Sequence, residues 1–163
     1  IRNRNNYHRG RIKLKILFVC LGNICRSPLA EGIAREYIKR NNLNIEVDSC
    51  GTSGWHIGES PDRRSIDIAK KYGIDISKLK GRQISVYGDA NWDYYIVMDE
   101  NNKKDLINMG FEKEKIKKIG EFGANNADVP DPYNYRDMQG FENVFNMINS
   151  CINNMFDSAT KII

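Results

Sequence analysis

Apolar residues along the chain follow two alternating patterns, short continuous runs and longer stretches with helical spacing. Continuous apolar runs are typical of parallel strands that are covered by helices on both faces. The predicted strands are Lys13–Cys20, Asn44–Cys50, Trp92–Met98 and Lys115–Ile119. Spacings of three and four residues predict helices after Ser27-Pro28, at Pro61–Tyr72, at Asn101–Met109 and at about Asp137–Phe156.

Strands that alternate with helices predict right-handed crossovers and a parallel sheet. The predicted fold class is α/β: a single doubly wound domain with three layers, α/β/α, around a four-stranded parallel sheet. Such sheets bind ligands beyond the carboxyl ends of their strands, so we expect the functional site in the loop after the first strand. The predicted domain covers residues 13–158, between a basic flexible tail at 1–12 and a C-terminal tail at 159–163.

Charge and hydropathy narrow the class of protein. Six of the 25 lysines and arginines lie in residues 1–15, where there is no acidic residue, so the rest of the chain carries 19 basic and 21 acidic side chains. This distribution favours a solvated tail over binding to nucleic acid or to a membrane surface. No apolar stretch approaches the ~20 residues that cross a bilayer. The sequence therefore predicts a cytoplasmic protein, and we expect a monomer.

The cysteines do not have the close spacing of a structural zinc site. The chain contains four of them: Cys20, Cys25, Cys50 and Cys151. Without a secretory signal, reduced thiols are expected. We expect neither a metal nor a cofactor.

Cys20 and Arg26 flank the five residues Leu21-Gly22-Asn23-Ile24-Cys25, between the first strand and its helix. Five residues can curl so that their amides point inward, and the positive end of the helix adds to this anion-binding nest. Gly22 and Asn23 tolerate the left-handed conformations that the curl requires. Arg26 is able to grip two phosphate oxygens at once.

The same electrostatic field favours a thiolate at Cys20, which becomes a nucleophile aimed at the anion. Ser27 is placed to donate a hydrogen bond to the sulfur and to ease its later departure. A phosphate ester also needs a proton for its leaving oxygen, and Asp131, between Pro130 and Pro132, is the best candidate. General acid catalysis of this kind contributes ~10²–10⁴-fold. In the second step the same carboxylate would activate water.

These motifs resemble the low-molecular-weight protein tyrosine phosphatases. The matching segments are Val19–Pro28 with Ala30-Glu31, Gly51–Trp55, Met98–Asn102 and Asp131–Tyr133. The resemblance implies metal-independent hydrolysis of phosphotyrosine proteins and small aryl phosphates through a phosphocysteine, with Cys20, Arg26 and Asp131 in the roles above. Phosphate, sulfate and vanadate are then the expected active-site anions.

The resemblance also assigns secondary roles. Asn23 and Ser27 would brace the loop, while Trp55 and Tyr133 would wall a deep slot that phosphoserine is too short to use. Cys25 would form a reversible disulfide with Cys20 under oxidation, which protects the nucleophile. From the residues alone, Cys25 is equally well explained as a small buried apolar residue.

Three alternatives remain open. An arsenate reductase of similar fold needs a further close cysteine pair, whereas Cys50 and Cys151 are far apart in the sequence. A protein-arginine phosphatase resembles this loop with Thr at the position of Ile24, and an apolar side chain there disfavours a guanidinium. A catalytically silent phosphotyrosine-binding module would need neither a thiolate nor a proton donor.

Overall fold

The computed structural model describes residues 13–162, with side chains through residue 158. The basic tail predicted at 1–12 lies outside the described residues. The strands are β1 (Leu14–Cys20), β2 (Ile45–Gly51), β3 (Tyr94–Val97) and β4 (Ile116–Lys118). The helices are α1 (Arg26–Arg40), α2 (Arg63–Lys71), α3 (Glu100–Met109) and α4 (Met138–Ile162), and short 3-10 turns flank β4 at Lys113–Lys115 and Ile119–Glu121.

The four strands form one parallel sheet in the order β2-β1-β3-β4. From β1 the chain moves to β2 on one side and later returns to β3 on the other. The crevice beyond the carboxyl ends of β1 and β3 is therefore the topological switch point, where the order of the strands reverses. Ligands bind to parallel sheets at such switch points. The predicted α/β fold is confirmed, and Cys20 ends β1 at this crevice.

Alternate side chains of β1 enter two separate cores, one on each face of the sheet. Ile16 and Phe18 pack with α1 and α4, whereas Leu17 and Val19 pack with Leu106 of α3 and other residues on the opposite face. All four side chains are buried, at 2% exposure or less. This burial on both faces is the physical reason for the continuous apolar run in the sequence.

Helix α3 begins one residue before its predicted start, and α2 and α4 differ more from the prediction. Helix α2 begins at Arg63, because the Asp62 side chain accepts a hydrogen bond from the Arg64 amide and caps the helix there. Helix α4 continues to Ile162, through residues 159–162 that we expected in a C-terminal tail. The predicted end at Phe156 stopped short of Ala159 and Ile162, which continue the helical spacing in the sequence. The domain boundaries stay predictions.

Candidate active site

The anion loop, residues 20–26, lies between the end of β1 and the start of α1. Asn23 adopts the left-handed conformation there, with φ of 57°. Cys25 stands at the N-cap of α1 without making a side-chain capping bond. The first amides of a helix have no partner within the helix, so an uncapped terminus offers them to an anion. Of the two residues expected to tolerate the left-handed conformation, Asn23 adopts it and Gly22 does not.

The sulfur of Cys20 has two hydrogen-bonding neighbours in this loop. The Asn23 amide donates to Sγ over 3.3 Å, and Ser27 Oγ lies 3.0 Å from Sγ. Ser27 Oγ already accepts a bond from the Asn23 side-chain amide at 2.8 Å, which leaves its own proton to be donated. The Cys50 carbonyl is a more distant acceptor at 3.3 Å. Both neighbours thus complement a negatively charged sulfur.

A chain of buried polar groups braces the loop from below. The Asn23 side-chain amide donates to Ser49 Oγ at 3.0 Å, and Ser49 donates in turn to Glu31 at 2.7 Å. On its other side, Asn23 Oδ1 accepts from the Arg82 amide at 3.0 Å. Burial raises the pKa of Glu31, although hydrogen bonds from Ser49 and Arg35 oppose the shift. The sequence reasoning grouped Asn23 with Ser27 but gave no role to Ser49 or Glu31.

Arg26 is almost completely buried, at 2% exposure. Its Nη1 donates to Asp99 at 2.7 Å and to the Val129 carbonyl at 2.9 Å. Burial opposes the charge of Arg26, but Cys20, Asp99 and Asp131 outweigh it and raise the pKa. Among the buried side-chain nitrogens and oxygens of residues 13–158, Nε of Arg26 alone has no partner. The edge formed by Nε and Nη2 is therefore available to bind two oxygens of one anion.

Asp131 lies beside this available edge. One of its oxygens is 3.7 Å from Nη2 of Arg26, and the other accepts from the Tyr133 amide at 3.1 Å. The side chain is 43% exposed, so solvent reaches it. Asp131 was predicted near the loop, whereas Asp99, which binds the other end of the guanidinium, had no predicted function.

A cavity of about 100 Å³ brings together most of the predicted site residues, although Asn23 and Ser27 are not part of its lining. Its lining comprises Cys20, Leu21, Gly22, Ile24, Cys25, Arg26, Trp55, His56, Asp131 and Tyr133. Trp55 and Tyr133 are 73% and 48% exposed, which places them at the mouth. His56 lines the cavity without having been predicted; its ring centre is 6.2 Å from that of Tyr133, and Nδ1 is 2.7 Å from Glu59.

The other notable features lie away from this chemistry. A wider depression of about 690 Å³ lies along the outer edge of β2, and its lining includes Arg35, Lys39 and Asp48 but no cysteine, serine or histidine. Cys20, Cys25, Cys50 and Cys151 are all buried free thiols. Burial raises the pKa of Cys25, so it is held as a neutral thiol beside Cys20. Within residues 13–162, no helix combines the length and apolar character needed to span a membrane.

The structure is thus an α/β protein with a buried thiol and a buried guanidinium at the two ends of one loop, at the switch point of a parallel sheet where ligands bind. The family model described as low molecular weight phosphotyrosine protein phosphatase matches residues 15–162. The chain belongs to this family of enzymes, as the resemblance of its motifs predicted.

Individual relatives agree with this assignment. A low molecular weight phosphotyrosine protein phosphatase of Saccharomyces cerevisiae is 40% identical over 145 residues, which cover 83% of this chain and 89% of the yeast protein. The crystal structure of a protein tyrosine phosphatase from Entamoeba histolytica, with Hepes in its active site, gives a TM-score of 0.84 at 33% identity, covering 91% of this chain and 97% of that one. The structure of a Drosophila arginine phosphatase gives 0.83 at 30% identity, with coverages of 90% and 98%.

Proposed function

We propose that the enzyme hydrolyses phosphotyrosine in proteins, and small aryl phosphates, without a metal and through a phosphocysteine at Cys20. The observation that carries this proposal is the unpartnered, buried Nε of Arg26 in the cavity that also contains Cys20. A buried donor without a partner costs about 1–3 kcal/mol, which an anion bound at this position would recover. The Hepes molecule in the active site of the Entamoeba relative is consistent with such an anion site.

In the first step, the Cys20 thiolate attacks phosphorus, and the bond from phosphorus to the tyrosine oxygen breaks. Asp131 gives its proton to that oxygen, so the tyrosine leaves as a neutral phenol. Arg26 and the loop amides bind the equatorial oxygens, whose charge they stabilise most strongly in the transition state.

In the second step, Asp131 removes a proton from a water molecule that attacks the phosphocysteine. The sulfur–phosphorus bond breaks, inorganic phosphate is released, and the Ser27 hydroxyl hydrogen-bonds to the thiolate that returns. Trp55 and Tyr133 hold the aromatic ring of the substrate at the cavity mouth. The length of the phosphotyrosine side chain then matches the distance from the mouth down to the sulfur of Cys20.

Cys20→Ser tests the nucleophile. We expect turnover of para-nitrophenyl phosphate to be lost, while calorimetry still detects binding of phosphate. The matched control is Cys151→Ser, the same change in a buried cysteine of α4, which should leave turnover near the wild-type rate. Activity should also survive EDTA, since no step uses a metal. Retained turnover in Cys20→Ser would remove Cys20 from the mechanism.

Arginine phosphatase activity is the alternative to be separated, because a structural neighbour bears that name. Ile24 lines the cavity, and its apolar side chain opposes the planar, charged group of phosphoarginine. We therefore expect kcat/KM to be higher for phosphotyrosine peptides than for phosphoarginine peptides. Ile24→Thr should bring these two kcat/KM values closer together. A wild-type enzyme that favours phosphoarginine would contradict the proposal.

A further inference from the structure

Arg64, at the start of α2, makes contacts that go beyond its own helix. Its Nε and Nη2 donate to the two carboxylate oxygens of Asp62, at 3.0 and 2.9 Å. Nη1 donates to the Tyr135 carbonyl at 2.6 Å, and Nη2 also donates to the Tyr133 carbonyl at 2.9 Å. One guanidinium thus joins the N-terminus of α2 to the acid loop, which we define as residues 128–137.

The Asp62 end of this bridge is fixed to the anion loop. The Asp62 amide donates to the Ile24 carbonyl at 2.7 Å, and the Asp62 side chain caps α2 through the Arg64 amide at 2.9 Å. The hydrogen bonds from Arg64 lower the pKa of Asp62, which keeps this carboxylate charged. Arg64 therefore connects the loop that carries the nucleophile with the loop that carries Asp131.

The acid loop is held at a second point before Asp131. Arg26 donates to the Val129 carbonyl at 2.9 Å, and the Val129 amide donates to the Met98 carbonyl at 2.9 Å. Asp131 thus lies between Val129, held by Arg26, and Tyr133, held by Arg64. The Asp131 side chain itself is 43% exposed and lies 3.7 Å from Arg26, so its position depends on where the backbone is held.

We propose that Arg64 is a positioning residue for the general acid: it fixes the acid loop so that Asp131 reaches the leaving oxygen. This inference rests on the proposed role of Asp131. The side chain of Arg64 is 31% exposed, and ion pairs near the surface contribute about 0–1 kcal/mol to stability. The main effect of Arg64 is therefore geometric, and misplacing a reacting group by 1 Å can cost ~10²-fold in rate.

Arg64→Met removes the hydrogen bonds and keeps a long side chain near the ring of Phe141, over which the guanidinium lies at 4.4 Å. We expect kcat for a phosphotyrosine peptide to fall about 10-fold, within the ~10²–10⁴-fold that a general acid contributes. An activated aryl phosphate, whose leaving group needs no proton, should lose less than about 2-fold, since only the general-acid contribution is affected.

The matched control is Arg63→Met. Arg63 is the neighbouring residue with the same charge, but it is exposed and forms an ion pair with Asp67 of its own helix at 3.1 Å. Its kcat should stay at the wild-type value for both substrates. Arg64→Lys keeps the charge but cannot bridge Asp62 and two carbonyls with a planar fork, so we expect a loss between those of the wild type and Arg64→Met. If Arg64→Met does not fold, the same comparison of substrates is made with Arg64→Lys.

The decisive measurement combines Arg64→Met with Asp131→Asn. If Arg64 acts through Asp131, it should slow the Asp131→Asn enzyme by less than 2-fold, because no acid remains to be positioned. Equal slowing of activated and unactivated substrates by Arg64→Met, or an undiminished effect in the double variant, would overturn the inference and leave a purely structural role. If Asp131→Asn itself slows both substrates equally, the proposed acid fails, independently of Arg64.

Discussion

Asn23→Ala is the substitution whose effect can be worked out most completely from the structure. The Asn23 side chain makes three hydrogen bonds: two buried ones as donor to Ser27 and Ser49, and a partly buried one as acceptor from the Arg82 amide. At about 1 kcal/mol each, their loss costs about 3 kcal/mol. Alanine must also adopt the left-handed backbone at φ of 57°, which adds about 1 kcal/mol. We expect the free energy of unfolding to fall by about 4 kcal/mol.

Two variants separate these contributions in urea denaturation. Asn23→Gly tolerates the left-handed backbone, so it should be about 1 kcal/mol more stable than Asn23→Ala while lacking the same hydrogen bonds. Asn42→Ala is the control for the backbone alone: Asn42 is exposed at φ of 50°, and its replacement should cost about 1 kcal/mol. A loss in Asn23→Ala no larger than the loss in Asn42→Ala would refute the assigned bracing role, because the three hydrogen bonds would then contribute nothing to stability.

Three further predictions concern the loop, its second cysteine and the cavity mouth. An added Cβ at Gly51 would lie 2.7 Å from the Leu21 carbonyl oxygen, so alanine at this position must displace the loop. Gly51→Ala should therefore weaken phosphate binding about 10-fold, as measured by calorimetry. A wild-type affinity for phosphate in this variant would contradict the prediction. The raised pKa of Cys25 keeps its thiol protonated at pH 7, and the Cys25 thiolate appears only at higher pH. Iodoacetamide should therefore label Cys20 first, and bound phosphate should slow this labelling. Equal labelling of Cys20 and Cys25, measured by mass spectrometry, would contradict this prediction. Trp55 is 73% exposed, so Trp55→Ala should change stability by less than about 0.5 kcal/mol. It should raise KM for phosphotyrosine peptides several-fold without altering inhibition by inorganic phosphate, and an unchanged KM would remove Trp55 from the substrate slot.

The strands and the anion loop could be predicted because their signals are local. Burial on both faces of β1 leaves a continuous apolar run, and the chemistry of the loop depends on residues that are neighbours in sequence. Cys20, Asn23, Arg26 and Ser27 are close together in the sequence, so their spacing, together with the strand before them and the helix after them, predicts the geometry. The approach of Asp131 required the additional knowledge that the long loop after β4 returns to the same edge of the sheet.

The missing parts of the site are contacts between distant segments. Arg63 and Arg64 are identical neighbours in the sequence. Only their different positions around the axis of α2 determine that Arg64 contacts the acid loop while Arg63 faces solvent. Asp99 likewise appears as an ordinary helix cap, and it does cap α3 through Asn102. Its other carboxylate oxygen accepts from Arg26, which no local pattern indicates.

The balance of charge around the cavity indicates which groups attract the substrate. When Cys20, Asp99 and Asp131 are ionised, three negative charges surround the single positive charge of Arg26, so side-chain charge alone does not favour a phosphate dianion. The attraction has to come from directed donors: the loop amides at the uncapped start of α1 and the available edge of Arg26. A proton on Asp131 would remove one repulsive charge, and in the proposed mechanism it is also the proton that the leaving oxygen requires. On that mechanism, the form of the enzyme that binds the dianion best is therefore also the form that cleaves it.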